Sequence, residues 1–244
     1  MEPIVITGAS RGIGAQSAIL AAKQGYAVCV NYLRSAAAAN RVVEVIRTEG
    51  GEAFAFQADC RDEEAVRAMF DAVVARYGAV TALVNNAGIL GGRARLADLD
   101  IGALRSVVDT NLVGTIICAR EAVRRMSRLR GGKGGAIVNV SSVAARHGGP
   151  GGGIHYAATK GAVDVFTTGL AKEVMPEGIR VNAVSPGVTL TDMTPPAQVQ
   201  QAVASVPIGR AADPIEIAQA ILWLISPAAS YVVGANLLVA GGRV

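Results

Sequence analysis

Tyr156 and Lys160 stand four residues apart in Gly-Gly-Ile-His-Tyr-Ala-Ala-Thr-Lys-Gly, residues 152–161. On a helix that spacing puts both side chains on one face, one turn apart. An ammonium held beside a phenol stabilises the phenolate. It draws a pKa of about 10 toward the neutral range, where a tyrosine can trade protons. Ser141 and Ser142 end the apolar run Gly135–Val140, which reads as a buried strand. A hydroxyl there faces the crevice in which open α/β sheets bind ligands. By itself a Tyr-x-x-x-Lys pair is equally at home on a solvated helix, so the surrounding elements decide its meaning.

A second constellation opens the chain. The β-branched run Pro3–Thr7 leads into Thr7-Gly-Ala-Ser-Arg-Gly-Ile-Gly14 and then an Ala-rich helical segment to about Gly25. Strand, glycine-rich turn and helix are the context a phosphate cradle needs. Gly8, Gly12 and Gly14 let the backbone turn tightly and approach a pyrophosphate, with Ser10, Arg11 and Ile13 in the same turn. The spacing is Gly-x-x-x-Gly-x-Gly, not the commoner Gly-x-Gly-x-x-Gly. Tyr26–Asn31 reads as the second strand. An Asp or Glu about 20 residues past the glycine turn would bind the 2′-hydroxyl of NAD. Here Asn31 ends the strand and is expected to touch the cofactor beside the adenine ribose, Tyr32-Leu-Arg34 follows, and no carboxylate is present. Arg11 and Arg34 can reach a 2′-phosphate, which favours NADP over NAD.

The remaining elements alternate. Residues 36–49 repeat apolar positions at helical spacing and stop at Gly50-Gly51. Ala53–Gln57 is a third strand, followed by Ala58-Asp59-Cys60. Asp62-Glu-Glu64 opens a helix to about Tyr77, with acidic residues where the dipole prefers them. Val80–Val84 is a fourth strand, and Asn85-Asn86-Ala87-Gly88 turns at its end toward the crevice. Ile89–Asp98 is a loop. A long helix covers about 100–130, with Asn111 as a poorly suited mid-helix residue. Arg146–Gly153 is too glycine-rich for regular structure. The helix carrying Tyr156 runs to about Met175. Gly178–Val184 is the sixth strand, with Pro186-Gly187-Val188 after it. Thr189–Pro207, holding Pro195-Pro196, is a lid or substrate loop. Asp213-Pro214 starts a helix to about Ile225, and Ala235–Ala240 is the last strand. The expectation is one domain over 1–244: a doubly wound (Rossmann) parallel sheet of about seven strands with helices on both faces.

Composition agrees. The 244 residues suit one α/β domain of ~250 residues. Hydrophobic residues make up 51%, and mean hydropathy is +0.39, as strands covered on both faces require. No run of 18 or more uninterrupted apolar residues suggests a membrane span, and no basic n-region precedes the first strand. Three cysteines, Cys29, Cys60 and Cys118, read as core thiols of a reducing compartment, hence a cytoplasmic protein without a metal site. Net charge is +4. The cluster Arg124, Arg125, Arg128, Arg130 and Lys133 complements a helix end. No recognition module points to nucleic acid, and no membrane partner is expected.

In order, Thr7-Gly-x-x-x-Gly-Ile-Gly14, Asp59, Asn85-Asn-Ala-Gly88, Asn111, Ser142, Tyr156-x-x-x-Lys160 and Pro186-Gly187 resemble the short-chain dehydrogenases/reductases in their single-domain form. The resemblance spans nearly the whole chain. The pattern is similar to 3-oxoacyl-carrier-protein reductases and to glucose dehydrogenase-like members. It implies an NAD(P)-dependent oxidoreductase that moves a hydride between the nicotinamide and a carbonyl or secondary alcohol, and the two arginines make NADP the expected cofactor. It implies that Tyr156 is the general acid/base and Ser142 binds the same substrate oxygen. Lys160 would lower the tyrosine pKa and hold the nicotinamide ribose, and Asn111 would hold a water that links Lys160 to solvent. Asp59 would contact the adenine, and Asn86, Ala87 and Gly88 would line the nucleotide. Pro186, Gly187 and Val188 would border the nicotinamide, and Thr191 would touch its amide or phosphate. Ser142 is preferred to Ser141 by the motif alone. His147 and His155 are expected in loops near the site and not in catalysis. A homotetramer built through the helices at about 100–130 and 155–175 and the C-terminal strand is implied, with a small carbonyl or alcohol as substrate. The alternative on the same fold is a non-catalytic dinucleotide sensor or scaffold. Its sign would be loss of Tyr or Lys, and both are present.

Overall fold

In the computed structural model, which describes residues 1–243, seven strands form one parallel sheet in the order β3-β2-β1-β4-β5-β6-β7. The strands are β1 (Glu2–Ile6), β2 (Tyr26–Tyr32), β3 (Glu52–Gln57), β4 (Ala82–Asn85), β5 (Gly135–Val140), β6 (Ile179–Pro186) and β7 (Asn236–Val239). Between them run α1 (Gly12–Lys23), α2 (Ala36–Thr48), α3 (Glu63–Tyr77), α4 (Ile101–Val108), α5 (Gly114–Met126), α6 (Ala144–His147), α7 (Ile154–Val174), α8 (Pro196–Val203) and α9 (Pro214–Ile225).

The apolar runs are continuous because helices cover both faces of the sheet. Alternate side chains of each strand then feed two separate cores. In β1, Ile4 and Ile6 pack with Val28, Val30 and the faces of α1, α2 and α9, including Ala18, Val42, Ile46 and Ile221. Val5 points the other way, into Leu83, Ile137, Val181, Met69, Phe70 and Ala171 under α3, α5 and α7. The small residues of α1 let it lie close on the sheet.

The winding reverses between β1 and β4. Ile6 sits level with Val30 on one side and with Val84 on the other, and Val84 with Val138. The carboxyl ends of β1, β4 and β5 therefore open together, at the switch point where such sheets bind ligands. The turns that begin at Thr7, Asn86 and Ser141 meet there.

Three segments differ from expectation. The long helix is broken into α4 and α5 by a π-helical turn, Asp109–Val113. The wider turn goes with the fully buried Asn111, whose carbonyl accepts the Thr115 hydroxyl at 2.8 Å. Ile101–Met126 as a whole is long and apolar enough to meet a length-and-composition test for a membrane span. It lies against α3 and α7 and buries Asn111 and Glu121. The glycine-rich loop starts with a helical turn, α6, which Gly148 ends at φ 74°. The lid contains the helix α8, with Pro196 in its first turn, where a missing N–H costs nothing. The basic cluster is also less free than its sequence suggests, because Arg124 and Arg125 both bind the buried Glu121 carboxylate, at 2.7 and 2.6 Å.

One arginine ties the sheet to α9. Arg180 of β6 donates to the carbonyls of Leu224, Ile225, Ser226 and Ala229 at 2.8–3.1 Å. Those carbonyls include the unsatisfied end of α9, where a cation is also favoured by the dipole. Arg180→Met is expected to cost about 2 kcal/mol and to lower Tm by about 4–8 °C for a chain of this size. Calorimetry showing an unchanged Tm would remove Arg180 from the stability argument.

Candidate active site

The glycine turn is shaped by what lies against it. Gly8 and Gly12 have φ of 61° and 58°, conformations that side chains resist. A Cβ on Gly8 would stand 3.0 Å from Ala87 Cα. One on Gly14 would stand 2.5 Å from Asn86 Nδ2 and 2.6 Å from the Gly8 carbonyl. Asn86 Nδ2 donates to the carbonyls of Thr7 and Gly8, and Thr7 Oγ1 accepts the N–H groups of Asn86 and Ala87. The turn after β1 and the turn after β4 are thus sewn together. The first turn of α1 has no side-chain cap and no acidic residue. Its N–H groups and positive end suit a pyrophosphate, so the donor set fits a dinucleotide.

Asn31 lies behind this turn and off the cavity wall. It is buried, its Oδ1 accepts the Gly8 N–H at 3.1 Å, and its Nδ2 donates to the Phe56 and Ala58 carbonyls. It braces the cradle, where the sequence reading had it touch the cofactor. Asp59 sits at the rim with both oxygens on Arg61, whose nitrogens lie 2.6–3.0 Å away. The Arg61 hydrogen bonds hold its carboxyl below the usual range, and the charge of Arg34 acts in the same direction.

A cavity of about 580 Å³ opens at the carboxyl ends of the strands. Its wall gathers Ile13, Asn86, Gly88, Ser142, Tyr156 and Lys160, and also Pro186, Gly187, Val188 and Thr191. Gly8, Ser10, Arg11, Gly12, Gly14, Ala87, Arg34 and Asp59 belong to the turns and rim outside this wall. Asn111 stands behind it.

Tyr156 and Lys160 share one face of α7, with Nζ 5.8 Å from the phenol ring centroid. Burial dominates both groups. It pushes the Tyr156 phenol above its ordinary pKa, with a hydrogen bond from Ser142 opposing. It brings the Lys160 ammonium down to about 8, with the Asp164 charge opposing. The net shift of the phenol is therefore upward, opposite to the expected lowering, because burial is the larger effect. Lys160 Nζ donates at 2.7 Å to the carbonyl of Val140, at the end of β5.

The two serines part company. Ser142 faces the cavity and the phenol, and its Oγ accepts the Ala144 N–H. Ser141 Oγ, fully buried, donates to the Lys160 carbonyl at 3.1 Å and braces α7. Asn111 exchanges two hydrogen bonds with the Ile89 backbone, at 2.8 and 2.9 Å, and donates to Thr159 Oγ1. Thr159 in turn donates to the Tyr156 carbonyl at 2.7 Å. Asn111 therefore fastens the loop after β4 to the turn of α7 that carries the phenol. Thr159 was missed from sequence, since its only mark there is a place between Tyr156 and Lys160. His155 is in α7 and not in a loop. It is buried off the cavity, with neither ring nitrogen hydrogen-bonded. His147, at the end of α6, does line the cavity.

A family model described as enoyl-(acyl carrier protein) reductase matches residues 8–243. The uncharacterized oxidoreductase YgfF of Escherichia coli (strain K12) is 47% identical over 247 residues, covering 100% of both chains. The 3-oxoacyl-[acyl-carrier-protein] reductase FabG of Staphylococcus aureus is 39% identical, covering 98% of this chain and 96% of its own. A short-chain dehydrogenase from Burkholderia cenocepacia J2315, solved in complex with NADP, superposes with a TM-score of 0.93 at 34% identity, over 99% of this chain and 97% of its own. The chain belongs to the short-chain dehydrogenase/reductase family and is an NAD(P)-dependent oxidoreductase that moves a hydride between a nicotinamide and a carbonyl or alcohol carbon.

Proposed function

We propose that the protein is an NADP(H)-preferring reductase of a small carbonyl compound, with Tyr156 as the acid that protonates the substrate oxygen. The observation that carries this is the convergence of Ser142, Tyr156 and Lys160 on one cavity next to an uncapped helix end. The bound cofactor supplies the hydride, and the protein supplies position and the proton. Ser142 and the Tyr156 hydroxyl bind the oxygen on which charge develops. The Lys160 ammonium, held in place by the Val140 carbonyl, stabilises the phenolate left when the proton departs. The N–H groups of α1 would hold the pyrophosphate, and Gly88, Pro186, Gly187, Val188 and Thr191 would border the nicotinamide half.

NADP preference is supported by Arg11 and Arg34, both exposed near the end of β2. It is further supported by the lack of any Asp or Glu at the end of β2 and just after it, residues 31–35, where a carboxylate would select NAD. The neighbour from Burkholderia cenocepacia carries NADP. We take the whole chain as one domain, since a single sheet draws on its full length. We further propose a homotetramer, because Ile101, Val113, Ile116 and Val165 expose apolar side chains on the helices expected to meet a second copy. Three buried free thiols accord with a cytoplasmic location.

The test follows absorbance of reduced nicotinamide with a panel of ketones, 3-oxoacyl thioesters and sugars, with NADPH and NADH in parallel. Tyr156→Phe is expected to lower kcat by about 10²–10⁴-fold and to leave the NADPH Kd within about twofold, since the hydroxyl serves the substrate oxygen. Near-normal turnover would sink the assignment.

Arg34→Ala is expected to lower kcat/KM for NADPH by about tenfold, the size of one charge-assisted hydrogen bond, and to leave NADH unchanged. Equal losses with both cofactors would exclude a 2′-phosphate contact.

The pH dependence has a defined sign. Lys160 is cationic below its pKa of about 8 and neutral above it. The phenol, with its raised pKa, stays protonated through this range. The rate of carbonyl reduction is therefore flat below pH 8 and falls as pH rises through it, because the charge that stabilises the phenolate is lost. A rate that climbs through pH 8 would contradict this assignment of charges.

A further inference from the structure

We propose that the substrate carries an anionic group, a carboxylate or phosphate, remote from its reacting carbonyl, and that Arg243, Arg93 and His147 bind it. The inference rests on the reading of this cavity as the carbonyl site and names the class of compound it takes.

Besides Lys160, the cavity wall contains these three basic side chains and, among the described residues, no Asp or Glu. Among the described residues, none of the three joins an ion pair. Among the described residues, the Arg93 and Arg243 guanidinium groups also find no acceptor, unlike Arg61, Arg125, Arg180 and Arg210, which are committed to carboxylates or carbonyls. His147 Nδ1 accepts the Gly149 N–H at 3.1 Å. The neutral ring then carries its proton on Nε2, which leaves a donor.

Each group is presented by backbone that is fixed. Arg243 lies two residues past Gly241, whose carbonyl accepts the Ile208 N–H at 3.0 Å, and its own N–H donates to the Ala240 carbonyl. That pins the chain's last turn to the end of the lid, beside Ala202 and Ser205 on the cavity wall. Arg93 is held from the other side, where the Ala94 N–H donates to the Gly152 carbonyl at 3.2 Å. The turn it meets, Gly149–Gly153, also anchors His147. Arg243 is partly buried, so its charge acts in a medium less screened than water. A guanidinium fork matches the paired oxygens of a carboxylate or phosphate. Tyr156 and Ser142 fix the carbonyl, so an anion held by these groups sets the direction in which the rest of the substrate lies.

An anion in this region has a second source, the phosphates of the cofactor, and the experiment separates the two. The probes are 4-oxopentanoate against its methyl ester, and dihydroxyacetone phosphate against dihydroxyacetone, with NADPH on the full chain. NADPH Kd is measured by fluorescence, and 4-oxopentanoate binding to the NADPH complex by calorimetry. The wild type is expected to prefer at least one anionic probe over its neutral partner by about tenfold or more in kcat/KM, and the preferred probe tells carboxylate from phosphate. Arg243→Met should remove most of that preference, lower kcat/KM for the anionic member by about tenfold, and leave the neutral member and the NADPH Kd within about twofold. Arg93→Met should act in the same direction. No preference in the wild type would overturn the proposal, and so would an Arg243→Met loss that falls on NADPH Kd and on both members equally. If no carbonyl is turned over while 4-oxopentanoate still binds with an affinity that Arg243→Met weakens, the anion site stands and the reductase reading fails.

Discussion

The structure depends on the close approach of two backbones at the point where the sheet reverses its winding. Asn86 and Ala87, in the turn after β4, donate four hydrogen bonds to Thr7 and Gly8, in the turn after β1. The approach is too tight for a Cβ at Gly8 or Gly14. The polar groups used are buried or nearly so, and each unmade bond there would leave a desolvated donor or acceptor. The glycines of the first turn thus answer two demands at once. They free α1's N–H groups for an anion, and they admit the second turn, which carries Gly88 toward the reacting end. Gly88 itself lies close beneath the Lys160 ammonium: a Cβ there would be 3.6 Å from Nζ.

Burial is the second constraint, and it works against the charge the chemistry uses. An ammonium taken out of water loses solvation unless something replaces it. Here the Val140 carbonyl does so in part, at 2.7 Å, and the pKa settles at about 8. That leaves Lys160 mostly charged at neutral pH and sensitive to small electrostatic changes. Its position is set from three directions: the sheet through Val140, the strand end through Ser141, and the loop after β4 through Asn111 and Thr159. In the proposed mechanism, a charge so placed needs little reorganisation when a phenolate forms beside it.

The sheet and its order of elements were legible in the sequence because both are written in local periodicity. Continuous apolar runs bounded by glycine turns locate the strands to within about two residues, and the Asp213-Pro214 cap marks the start of α9. The glycine turn and the Tyr-Lys pair carry their spacing with them. What escaped was set by partners distant in the chain. Asn31 reads as a ribose contact until Gly8 and Ala58 are seen to consume its amide. The π-helical turn cannot be read from Asn111 alone, since it depends on the Ile89 backbone 22 residues away. His155 lies beside Tyr156 in sequence yet turns away from the cavity, because neighbours on a helix point about 100° apart.

The site divides along the same line. Its nucleotide half is built from backbone: glycines, helix N–H groups and strand ends, all fixed by the sheet. Its substrate half is built from side chains on three connections, the loop after β4, the segment from Ser142 to Gly153, and the lid with the last turn of the chain. Backbone cannot vary with sequence except through Gly and Pro, whereas connections vary freely without disturbing the two cores. Specificity for the compound reduced must therefore reside in those connections. On the proposed reading, the cationic groups on their walls, Arg93, His147 and Arg243, are the features by which this chain selects among carbonyl compounds.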